Sequence, residues 1–326
     1  MAAINTTEAT ARVPSGRMRR QRVEDLVFRS TTRAFAVGVL SLLGAVLVAL
    51  AIGAGPAVRA FGFGFLASQA WNPVKDVFGA LPAVYGTLVT SLVAMILAVP
   101  VALGIAVFLT ELCPPMMRRP IGILIELLAA IPSIIYGIWG LFVLAPVLQV
   151  TVQPFLIATL GAVPGLGLLF AGPPLGLGIL TAGFILAVMI LPFIAAVTRD
   201  VFMTVPAMLR ESAYGVGATT SEVVRDIVLP YTRVGIVGGA MLGLGRALGE
   251  TMAVTFVIGN AHRIQASLLA PGTTISATLA NEFTEAVGDL YTSSLIELGL
   301  ILFVITFVVL AAAKLMLMRI EERAAK

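Results

Sequence analysis

Charge is scarce in this chain: of its 326 residues only 12% are Asp, Glu, Lys or Arg, about half the roughly 25% usual in soluble globular proteins. A single cysteine, Cys113, excludes an internal disulfide. A single histidine, His262, leaves no imidazole and thiolate cluster with metal-ligand spacing. Lysine is nearly absent, and none of Lys75, Lys314 and Lys326 follows a glycine. The G-x-x-x-x-G-K-[ST] loop that cradles nucleotide phosphates is therefore missing. No nucleophile, base and orienting group form a set that enzymatic catalysis would need. What abounds is apolar: 59% of the residues are hydrophobic and the mean hydropathy is +1.03, the composition of an integral membrane protein. The isoelectric point near 9.6 marks no nucleic-acid face, because the apolar mass leaves no soluble domain to carry one.

A helix needs about 20 mostly apolar residues to cross the hydrocarbon layer. Such windows fall at 34–58, 82–110, 120–148, 177–198, 234–260 and 294–318, which predicts an all-α membrane protein of six transmembrane helices. Residues 149–178 are apolar and uncharged but interrupted by four prolines; they read as an outer connection, with a dip into the membrane left open. Placing the amino terminus inside puts 17 of the 21 Lys and Arg in the inner segments 1–33, 111–119, 199–233 and 314–326. A seventh span would push the last two of these outside, against the positive-inside tendency. Both termini are thus expected in the cytoplasm. The expected division is an Arg-rich cytoplasmic tail at 1–33, a transmembrane domain at 34–318 containing a coupling loop at 199–233, and a short cytoplasmic tail at 319–326. The 1–33 lead and the apolar stretch after it are too long for a cleaved signal peptide.

The connection between the fourth and fifth spans, "VPAMLRESAYGVGATTSEVVRDIVLPYTRVG", is long, mixed in charge and amphipathic. Glu211, Ser212, Ala213 and Gly217, followed after nine residues by Ile227, Leu229 and Pro230, resemble the EAA motif of ABC importer permeases, with Ser212 where alanine is usual. Pro206 is acceptable at the start of a short helix, and Gly215 and Gly217 let the chain reverse. A surface helix of this kind suits docking into a partner's groove and transmitting its movement.

In the fifth span, Gly235, Gly239, Gly243, Arg246 and Glu250 follow one another at steps of four, four, three and four. On a continuous helix they share one face. Small residues at that spacing let another helix approach closely in lipid. A lone Arg or acid at the bilayer centre costs on the order of 3 kcal/mol, so the two charges need partners or water. An Arg preceding a Glu by four residues is the weaker order for a helical ion pair, which favours a transport role: Arg246 binds an anion and Glu250 orients it. Arginine's planar fork suits oxyanions. An ionised carboxylate only accepts hydrogen bonds, so it favours phosphate, which keeps a proton near neutral pH, over sulfate, which does not. Glu126 and Glu297 lie near enough to span ends to reach an interface, and His262 and Arg263 stand at the outer mouth.

Four stretches together, "FGFLASQAWNPVKDVFGALPAVYGTLVTS" from Phe63, "AIPSIIYGIWGLFVL" from Ala130, the EAA-like loop and "GLGRALGETMAVTFVIGN" from Gly243, resemble the PstC-type permease subunits of phosphate-specific ABC transporters over residues 35–318. The resemblance implies a type I ABC importer fold and import of inorganic phosphate across a bacterial inner membrane. It implies a heterodimer with a PstA-type permease, a PstB-type ATPase dimer and an extracytoplasmic PstS-type binding protein. It implies further that Arg246 and Glu250 serve translocation. ATP and Mg belong to the ATPase, and no cofactor is expected in this chain. Trp71, Pro73 and the Gly/Pro segment after Gln149 would receive the loaded binding protein. Permeation of phosphonate, sulfate or molybdate, or a phosphate-sensing role, are the alternatives. The resemblance leaves the Arg-rich amino-terminal segment unexplained.

Overall fold

The computed structural model describes residues 15–324, and side chains from 23 to 319. Among the described residues the only β feature is an isolated bridge between Asn72 and Val77. Six helices among the described residues are long and apolar enough to cross a membrane: Val23–Gly53, Leu81–Leu112, Ser133–Thr159, Ile179–Met203, Thr220–Leu248 and Asp289–Arg319. They are called here the first to sixth spans. The chain divides into two compact units, residues 1–52 and 53–326. The first is helical from Ser15 onward, so the segment expected as a tail at 1–33 is in large part a helix. Residues 18–36 contain neither Gly nor Pro and are rich in good helix formers. Residues 1–14 lie outside the described part. At the other end the sixth span's helix runs on to Ala324, through most of the expected 319–326 tail.

Prolines set the shape of the second unit. Four π-turns, Phe108–Leu112, Gly140–Leu144, Leu148–Val152 and Val224–Val228, each end two residues before a proline: Pro114, Pro146, Pro154 and Pro230. A proline offers no N–H to the carbonyl four residues earlier, and its ring collides with that carbonyl. Widening the preceding turn to i→i+5 bonds, such as Gln153 N–H to the Leu148 carbonyl, moves the collision aside. At Pro154 and Pro230 helices therefore continue through positions that sequence reasoning took as breaks, whereas at Pro114 the helix ends. The third span starts after Pro132 and ends at Thr159, not 120–148, while Pro115–Ala129 is a separate helix. The fifth span starts at Thr220, not 234, behind a capping box in which Thr219 and Glu222 satisfy each other's backbone N–H. It ends at Leu248, not 260.

The fourth span is the most enclosed. The second span meets it with Ala94, Ala98 and Ala102, all fully buried at four-residue spacing, and the fifth and sixth spans complete the bundle. The return connection is pinned by the buried Gln153, whose Oε1 accepts from Gly176 N–H at 2.9 Å. Residues 260–274 cross the start of the second span, where a Cβ on Gly86 would collide with the Thr273 carbonyl. Thr87 Oγ1 there accepts from Ile275 N–H at 3.0 Å.

Candidate functional site

Gly235, Gly239 and Gly243 lie against the fourth span. A methyl on Gly239 would sit 3.0 Å from Val197, one on Gly243 2.6 Å from Ile194, and one on Gly235 would strike Val201. The backbones approach this closely because nothing larger than hydrogen intervenes. The same face does not carry the two charges inward. Arg246 stands in the last turn of the helix and is exposed, where a cation is favoured by the carbonyl end of the dipole. Glu250 is not on the helix at all, because Gly249 ends it. Half-buried, Glu250 accepts from Ala253 N–H, in the first turn of the short Met252–Thr255 helix, at 3.3 Å. No ion pair joins it to Arg246 among the described residues, which corrects the expectation of one charged face. Arg246 has no hydrogen-bond or ion-pair partner among the described residues. The Met252–Thr255 helix, which follows the fifth span, packs on Ser133–Trp139 at the start of the third.

At the opposite end, Ala207–Gly215 forms a short helix. Ala213 is partly buried beside Phe202, Val205, Val223 and Val228, with Ile227 and Leu229 packed on the same cluster. Glu211 and Ser212 are exposed, and the Ser212 hydroxyl donates to the Met208 carbonyl at 2.7 Å. Gly217 turns the chain with φ of +91°, a value that favours glycine. Ile227, Leu229 and Pro230 lie within the start of the fifth span, not in a loop, so the 199–233 connection shrinks to residues 204–219.

A model of the binding-protein-dependent transport system inner membrane component family matches residues 100–322. A phosphate transport system permease protein PstC from Mesorhizobium japonicum is 65% identical, over 97% of this chain and 98% of its own length. The PstC protein of Pasteurella multocida is 58% identical over 92% of this chain and 93% of its own. The chain belongs to the PstC-type permease family. As such it is a multi-pass protein of the bacterial inner membrane and a transport subunit that works with an ATPase and other ABC components. A methionine ABC transporter solved in inward-facing conformations shares the fold, with a TM-score of 0.55 at 18% identity, over 73% of this chain and 94% of that one. A bacterial transporter involved in alginate import does so at 0.53 and 16%, over 93% and 99%.

Several residues of this PstC-type chain were misread or missed in sequence. Trp71 is partly buried and bonded within the fold: its ring stacks on His262 at 4.9 Å and its Nε1 donates to Glu282 at 2.7 Å. Tyr291 donates to the same carboxylate at 2.7 Å, and His262 Nε2 lies 2.8 Å from its other oxygen. Burial pushes the Glu282 carboxyl up, but the bonds from His262, Tyr291 and Trp71 win and hold it below the ordinary range. Glu282 and Tyr291 are 211 and 220 positions from Trp71, so no local pattern could announce the cluster. Glu126 pairs with Arg199 at 2.8 Å. Glu297 does not reach an interface: it is 6% exposed, and its Oε2 is buried without a partner. The Thr219–Glu222 box was legible as T-x-x-E and would have placed the start of the fifth span.

Proposed function

We propose that this chain is the permease subunit of an ATP-driven importer of inorganic phosphate, and that Arg246 is the residue that receives the ion. The observation that carries the reading is a guanidinium left without an acceptor at the broken end of a transmembrane helix. An unpaired arginine is costly in an apolar setting, and a planar fork matches a tetrahedral oxyanion. The curated relatives are named for phosphate transport, which supports the choice among oxyanions. Glu250, one oxygen held by Ala253 N–H, leaves its other oxygen to accept from a protonated phosphate. Its position off the helix lets it move with the Met252–Thr255 segment independently of Arg246.

The exposed side of Arg246 fits a pathway closed by a second, PstA-type permease. A PstB-type ATPase dimer carrying ATP and Mg docks on Glu211, Ser212 and the rest of the Ala207–Gly215 helix from the cytoplasm, where both termini lie. A PstS-type protein delivers phosphate from the other side. ATP binding switches which side the Arg246 site faces, and phosphate biases the switch by its affinity difference between the two states. The test is uptake of labelled phosphate by cells carrying Arg246→Lys, which keeps the charge and loses the fork. The expected result is a KM raised on the order of tenfold, about 1.4 kcal/mol. An unchanged KM, or equal competition by sulfate in the wild type, sinks the reading.

A further inference from the structure

Beside the Ala207–Gly215 helix lies a cavity of about 360 Å³, lined by Arg118, Arg119, Arg199, Arg210 and Glu126 among others. It sits between the Pro115–Ala129 helix and the ends of the second and fourth spans. Its charges divide into two groups. Arg199 is neutralised by Glu126 at 2.8 Å and Asp200 at 2.9 Å. Arg210 lies 3.3 Å from the buried Glu111 and donates to the Phe202 carbonyl at 2.6 Å, yet its buried Nε has no acceptor. Arg118 spends only its Nε, on the Cys113 carbonyl at 2.9 Å. Arg119 bonds to nothing among the described residues. The guanidinium forks of Arg118 and Arg119, both exposed, therefore face one cavity without a carboxylate partner among the described residues, beside the buried, unpaired Nε of Arg210. A buried donor lacking an acceptor is a standing cost, which an arriving oxyanion removes.

We propose that this cavity is a second oxyanion site, taking a phosphate group on Arg118 and Arg119 with Arg210 behind them. Counting Arg199 with its two carboxylates and Arg210 with one, the cluster keeps a net positive charge that a phosphate group would offset, and arginine forks bind phosphate oxygens bidentately. The phosphate has two sources. Free inorganic phosphate is one. The other is the headgroup of an anionic lipid, because Met116, Ile123, Leu124 and Leu127 of the same helix are exposed and would lie against acyl chains. The inference does not depend on Arg246 being the transport site.

Phenylglyoxal modification of individual arginines, read by peptide mass spectrometry, separates the outcomes. The sample is the transporter with its accompanying subunits, in nanodiscs of phosphatidylcholine alone. Exposed Arg225, on the fifth span, is the internal reference. Millimolar inorganic phosphate, against chloride at matched ionic strength, is expected to slow modification of Arg118 and Arg119 about threefold relative to Arg225, the factor reached when ligand stands near twice its Kd. Replacing part of the lipid with phosphatidylglycerol is the second arm. Protection by phosphate alone identifies the free ion, and protection by the lipid alone identifies the headgroup. Arg119→Ala should abolish protection at Arg118 in either arm, while Arg119→Lys keeps part of it. Equal rates at all three arginines in every condition overturn the site. So does protection that disappears only when the ATPase is stripped away, since a protein then covers the cavity.

Discussion

Two polar regions of this molecule handle charge in opposite ways. In the Trp71–His262–Glu282–Tyr291 cluster one carboxylate collects three side-chain partners within 2.8 Å. At the break after Leu248, Arg246 has none among the described residues, and Glu250 holds a single long bond of 3.3 Å. The first arrangement fixes two connections to the sixth span and leaves little for a ligand to gain. The second tolerates an unpaid electrostatic cost, and such a cost persists where something that arrives relieves it. The difference teaches which charges hold the fold and which wait for cargo.

The largest effect should come from removing the waiting charge. Arg246→Gln is expected to cut phosphate uptake on the order of a hundredfold, the loss of a charged hydrogen-bond pair worth about 3 kcal/mol. Thermal stability of the purified transporter should stay within about 0.5 kcal/mol of wild type, because no intramolecular partner is orphaned. A variant that keeps uptake, or one that unfolds, breaks the comparison at its first term.

Next in size is the satisfied carboxylate. Glu282→Ala strands Trp71 Nε1, the Tyr291 hydroxyl and His262, and should cost about 3 kcal/mol, seen as a melting temperature lower by several degrees. Uptake per folded molecule should be nearly normal. The same cluster predicts a pH dependence. The Glu282 carboxyl is held below its ordinary value, so its contribution is fully present above the unfolded pKa of about 4.3 and is lost as pH falls through the folded one. Melting scans from neutral pH into acid should drop more steeply for wild type than for Glu282→Gln, and parallel curves would remove the cluster from the account.

How much of this was readable beforehand follows from the range of the interactions involved. Six spans came from local apolar density, which needs no tertiary knowledge. The stripe of Gly235, Gly239 and Gly243 came from the helical period, and each of the three meets a fourth-span side chain. Span boundaries failed at Pro154 and Pro230, because a π-turn before each proline preserves a helix that the residue alone seems to forbid. Arg246 and Glu250 were placed on one face by assuming the helix ran on to 260, and Gly249, a common helix terminator, was discounted. The bond from Trp71 to Glu282 and the pairing of Arg199 with Glu126 join residues 211 and 73 positions apart and left no trace in any window.

The smallest effect should appear at Thr219. Its hydroxyl accepts from Glu222 N–H at 3.4 Å, and Glu222 Oε2 accepts from Thr219 N–H at 2.7 Å. This is a satisfied arrangement like that of Glu282, but an exposed one, so water replaces much of what is lost. Thr219→Ala should cost about 1 kcal/mol, and Thr219→Ser should restore nearly all of it. Uptake should fall less than twofold, about 0.4 kcal/mol, if the box only starts the fifth span. Suppose instead that uptake collapses while the melting temperature holds. Then the turn between the exposed Ala207–Gly215 helix and the fifth span transmits movement, and a fully bonded group would be working in transport. Satisfaction of polar groups would no longer separate the parts that hold from the parts that carry, and the assignment of Arg246 would have to rest on uptake measurements alone.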